Sequence, residues 1–69
     1  MYKMIFAGKS EYNFVFTYTV ESKDMILRAI EKFKNSSEIR HREPEEVGEN
    51  FISWRNEEKF YHIFWSKIG

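Results

Sequence analysis

Several residue groups in this chain carry side chains that chemistry commonly recruits, and each sits in a pattern that decides whether the chemistry is available. Gly8-Lys9-Ser10 matches the last three residues of a phosphate-binding loop. That loop needs a glycine five residues before its second one and a helix after it. Lys3 occupies the first position and strand-forming residues follow, so the tripeptide reads as a hairpin loop. His41 and His62 stand in separate segments with no metal-ligand spacing, so no metal and no cofactor is expected. Ser53 and His62 would meet across a hairpin, but a nucleophile and its base also need an orienting carboxylate and an oxyanion site, which nothing here specifies. Glu43, Glu45, Glu46 and Glu49 form an acidic cluster in a short polar stretch. Acid–base work would need a pocket that drives their pKa values apart, so a solvated surface is expected. Asn35-Ser36-Ser37 fits a glycosylation sequon but lies where a helix should end. No catalytic residue is assigned and no enzyme is expected.

Arg40-His41-Arg42 is the one local concentration of base. Together with Arg55, His62 and the phenylalanines Phe51, Phe60 and Phe64 it makes the candidate binding set. An aromatic and basic sheet face is what single-stranded nucleic acid stacks on. Against that use, 11 Lys+Arg balance 11 Asp+Glu to a formal net charge of zero, and phosphate contacts normally dominate such affinity.

The elements that must position these residues follow from periodicity. Tyr2–Ala7 reads as a strand. In Glu11–Val20, Tyr12, Phe14, Phe16, Tyr18 and Val20 alternate with Asn13, Val15, Thr17 and Thr19, the period of a second strand. A Gly8-Lys9-Ser10 loop would pair Phe6 with Tyr12, Met4 with Phe14 and Tyr2 with Phe16. A helix is expected from Ser22, its N-cap, to Lys34, with Met25, Ile26, Ala29, Ile30 and Phe33 on one apolar stripe and an Asp24–Arg28 pair outside. Glu38-Ile39-Arg40-His41-Arg42 reads as a short edge strand or an extended loop. Glu43–Gly48 reads as one helical turn opened by Pro44. Phe51–Arg55 and Lys59–Lys67 form a second hairpin. A Glu57-Glu58 loop sets Trp54 against Tyr61, Ile52 against Ile63, Phe51 against Phe64, Ser53 against His62 and Arg55 against Phe60; with no glycine at this turn, a longer loop with a shifted register is the alternative.

The fold class expected is α+β: a ββαββ order in one domain over residues 1–69, with a four-stranded antiparallel sheet and one helix packed on one face. The helix should cover Tyr2, Met4, Phe6, Tyr12, Phe14, Phe16, Ile52, Trp54, Ile63 and Trp65. The opposite face should carry Ile5, Val15, Thr17, Phe51, Phe60 and Phe64 among Lys3, Arg55 and His62.

Composition bounds what such a domain does. With no cysteine there is no disulfide framework and no thiol chemistry. The apolar runs are too short to span a bilayer, and Met4–Ala7 is too short for a signal-peptide core, so a soluble cytoplasmic protein without membrane partners is expected. Seven Phe, four Tyr and two Trp stand against a single leucine in 69 residues. A chain of 8.5 kDa should expose about 4,700 Å² when folded. At that size stability without staples is marginal, and large aromatic side chains and self-association are the reinforcements left. An aromatic face that one helix cannot cover points the same way, because monomers rarely leave such patches open. The expected function is a small protein-interaction module that self-associates, with a dimer favoured, and binds or inhibits another protein. The composition suits a small accessory protein of low-GC bacteria or their phages. The alternative is a single-stranded nucleic-acid-binding module using the aromatic and arginine face.

Overall fold

Two long strands rich in aromatic and β-branched residues open the chain, β1 (Tyr2–Lys9) and β2 (Asn13–Val20), and one amphipathic helix follows, α1 (Lys23–Lys34). Three more strands complete the fold: β3 (Glu46–Val47), β4 (Phe51–Asn56) and β5 (Lys59–Lys67). The structure is a computed structural model and describes residues 1–40 and 42–68. The strands form one antiparallel sheet in the order β2-β1-β5-β4-β3, with the first and last long strands paired at its centre. The class is α+β, but the sheet has five strands rather than four.

The first hairpin turns two residues later than the sequence suggests. Its loop is Ser10-Glu11-Tyr12, and the register pairs Phe6 with Phe16, Met4 with Tyr18 and Tyr2 with Val20. Gly8 is a strand residue, not a turn residue. A side chain on it would run into the Phe60 carbonyl oxygen and come within 3.1 Å of the Tyr61 Cα and of the Phe14 ring. Its glycine is used for close approach inside the sheet. The pairing moves by an even number of residues, so every side chain keeps its face.

The second hairpin pairs as expected, Trp54 with Tyr61, Ile52 with Ile63, Phe51 with Phe64, Ser53 with His62 and Arg55 with Phe60. Glu57-Glu58 is its two-residue loop, and Glu57 takes φ 56°, the left-handed region where such turns favour glycine.

The helix begins after Ser22, which is extended (φ −140°, ψ 159°) but makes no side-chain capping bond, so it caps by conformation alone. Asp24 and Arg28 pair on the exposed side at 3.1 Å. Ile26, Ile30 and Phe33 point into the sheet, whereas Met25 is exposed because it lies beside that stripe rather than on it.

The segment 36–49 differs most from expectation. Glu46–Val47 forms an edge strand instead of the helical turn over Glu43–Gly48, with Glu46 opposite Ser53 and Val47 opposite Ile52. The Glu45 and Gly48 amides also donate to the Ser53 and Phe51 carbonyls, at 2.8 Å each. An isolated turn closes almost no hydrogen bonds of its own, so the open edge of β4 wins. The residues before it form neither a strand nor an extended loop but a series of turns through Arg40, which takes φ 51°. Those turns drive Ile39 into the core at 2 % exposure. His41, part of that expected segment, lies outside the described residues.

The core is Met4, Ile26, Ile30, Ile39, Ile52, Trp54, Tyr61 and Ile63. The Trp54 Nε1–H donates to the Arg42 carbonyl at 3.2 Å, which ties the turns to the core. Phe33 stands at 5.2 Å, edge-on, from both Trp54 and Tyr61 and at 4.9 Å from Phe6. A twelve-residue helix is about 18 Å long and about 10 Å wide, enough for two or three strands at about 4.8 Å spacing. It covers β1, β5 and β4. Tyr12 and Phe16, expected beneath it, are 75 % and 52 % exposed, Tyr12 because it lies in the hairpin loop and Phe16 because β2 is the outer strand.

Candidate functional site

The paired registers fix the face of the sheet away from the helix as rows running across the strands. One row is Thr17, Ile5, Phe64 and Phe51. The next is Val15, Ala7, His62, Ser53 and Glu46. The third is Asn13, Lys9, Phe60 and Arg55. Lys3 lies in the row beyond Ile5, between Thr19 and Ser66. Among the described residues no element packs over this face. Its centre is apolar, with Ile5, Ala7, Phe51, Phe60 and His62 half-buried by their neighbours and Phe64 38 % exposed. The His62 ring stands between Phe60 (5.2 Å, edge-on) and Phe64 (6.5 Å) along its own strand. Cations frame the patch at Lys3, Lys9 and Arg55, and Glu46 marks the β3 side.

The candidate residues divide between two sides of the molecule. Phe51, Arg55, Phe60, His62 and Phe64 come together on the open face. Arg40 and Arg42 do not join them: with Lys59, Glu38 and Tyr61 they line a cleft of about 530 Å³ on the helix side, by the β4–β5 turn. His41 lies outside the described residues. Two cations escaped the sequence reading. Lys9 reaches the open face because β1 continues through Gly8, which looked like a turn. Lys59 was legible, since a two-residue loop sets it opposite Asn56 on the helix side.

The arrangement bears on the chemistry considered above. Glu46, Ser53 and His62 do lie in one row, with Glu45, Arg55 and Phe60 around a shallow notch of about 240 Å³. The serine, however, is in the middle. A nucleophile, base and orienting acid need the imidazole between the other two. Here Glu46 and His62 stand two strand spacings apart, about 9–10 Å. Among the described residues no group of three or more His, Asp or Glu is placed to hold a metal ion, and no helix is long and apolar enough to cross a membrane.

Comparisons with protein families, curated proteins and solved structures find no match to this chain, so the reading of the site rests on its own geometry.

Proposed function

We propose that this protein is a small interaction module that self-associates, with a dimer favoured, and uses the open face of its sheet to bind or inhibit another protein. The observation that carries the reading is the uncovered apolar centre of that face, Ile5, Phe64 and Phe51 side by side, with Val15 diagonal to Ile5 and Phe60 on the far side of His62. Phe64→Glu tests the face. At an exposed position it should leave the circular dichroism spectrum and melting unchanged while abolishing capture of the protein that the wild type retains. Retention of the same partner by folded Phe64→Glu refutes the assignment of the face. Light scattering on a size-exclusion column tests self-association, and a strict monomer at high micromolar concentration counts against it.

A second reading rests on one row. Phe60 sits between Lys9 and Arg55 on adjacent strands, a ring flanked by two cations, which is how a base and its phosphates are held. Fluorescence titration with short single strands at low salt separates the two readings, and Arg55→Glu should abolish any such binding.

A further inference from the structure

We infer that two copies of this chain join through the free edge of β2, antiparallel, so that two five-stranded sheets become one of ten strands. The inference rests on the self-association proposed above and names its seam. The two edges of the sheet are built differently. The β3 edge is two residues long, follows Pro44 and Glu45, and carries a charge itself at Glu46. Shortness, proline and charge are the devices that keep a sheet edge from pairing. The β2 edge has none of them. Asn13–Val20 (NFVFTYTV) is eight residues long and contains no charge, no proline and no glycine. It spans about 27 Å at about 3.4 Å per residue, with no strand paired to its outer side among the described residues.

The segment is also complementary to itself. A two-fold axis perpendicular to the sheet, set at Phe16, places Phe14 against Tyr18 of the second copy, Val15 against Thr17 and Asn13 against Thr19. Aromatic side chains meet aromatic ones on the helix side, Val15, Asn13 and the threonines meet on the other, and no charges oppose within the strand. An axis at Thr17 preserves the same matching of types. This symmetry also keeps both helices on one side. The Phe16 and Tyr18 rings, 52 % and 45 % exposed, would then adjoin those of the second copy in the space the helix is too narrow to cover. A parallel pairing would instead set the aromatic row of each copy beside the β-branched row of the other. Either axis pairs seven residues of each strand, which closes about six to eight backbone hydrogen bonds. A second copy supplies the missing strand with no further component.

The test uses the whole chain. Light scattering from low to high micromolar concentration is read for the wild type, Thr17→Lys and Phe64→Glu, with circular dichroism confirming each fold. Thr17 is exposed and lies opposite Ile5, so lysine there should not disturb the monomer. Thr17→Lys should raise the dimer Kd by at least about tenfold, because in either register it sets like charges opposite or diagonal to one another across the seam, and Phe64→Glu should leave it unchanged. Hydrogen exchange should show alternate β2 amides gaining protection as the wild type dimerises. A dimer that survives Thr17→Lys, or leaves the β2 amides unprotected, overturns the seam. A dimer lost in Phe64→Glu but kept in Thr17→Lys overturns the seam while self-association stands. A wild type that is monomeric throughout overturns both.

Discussion

Replacing Gly8 by alanine should destabilise this domain by about 2 kcal/mol, opposite to the usual direction of the change. A strand glycine ordinarily weakens its strand by roughly 0.5–1 kcal/mol, so alanine should gain that much. At Gly8 the added methyl has nowhere to go. It would run into the Phe60 carbonyl oxygen and lie 3.1 Å from the Tyr61 Cα and from the Phe14 Cζ. The first two are backbone atoms of β5, the strand paired with β1 at the centre of the sheet. Relief therefore means separating two central strands, not turning one side chain. Overpacking of this kind costs about 1–3 kcal/mol, and a backbone obstacle places it in the upper part of that range. The net loss of about 2 kcal/mol corresponds to a Tm about 8–16 °C lower in a domain of this length. Thermal melting followed by far-ultraviolet circular dichroism, with urea denaturation to check an unchanged m-value, measures it. A Tm equal to or above that of the wild type would refute the reasoning. Gly8 would then be dispensable, and the close approach of β1 and β5 would not be what requires it.

Two further outcomes follow from the turns. Ile39→Ala should cost about 2–5 kcal/mol, read as a lower urea midpoint, because Ile39 is 2 % exposed and belongs to the core despite its irregular backbone; a loss below about 1 kcal/mol would place it outside the core. Glu57→Gly should stabilise by about 0.5–1 kcal/mol, since relief of the left-handed φ of 56° outweighs the added freedom of the unfolded chain; an unchanged or lower urea midpoint contradicts that.

The legible parts of the fold are those governed by local alternation. Phe51–Lys67 is rich in aromatic and β-branched residues about a short polar loop, and a two-residue Glu57-Glu58 loop, though the turn has no glycine to require it, sets the register found and the clustering of Phe51, Phe60, His62 and Phe64. The helix was legible from the spacing of Ile26, Ile30 and Phe33, and Asp24–Arg28 from the four-residue step. Gly8 misled because glycine serves two purposes, the turn and the close approach, and only the neighbouring strand tells them apart. Glu43–Gly48 misled because Pro44 and Gly48 punctuate a helical turn and an edge strand equally well. Ile39 gave no signal, since one apolar residue among charged ones has no period. Arg40 and Arg42 were grouped with Arg55 by composition, yet nothing in the local pattern says on which side of the sheet a loop returns.

From the order of its residues alone, this chain determined that it builds two hairpins and one helix, and which side chains share a face. Those properties depend on backbone periods of two and 3.6 acting over a few neighbours. Only the tertiary structure decided which strand lies outermost. The pairing of β1 with β5 pushes β2 to the edge, where Phe14 and Val20 still pack against the core but Phe16 and Tyr18 are left outside the helix's cover. Phe16 and Tyr18 have the same alternation as buried residues, and they stay exposed because burial is settled by what packs above a strand, not by the strand's own pattern.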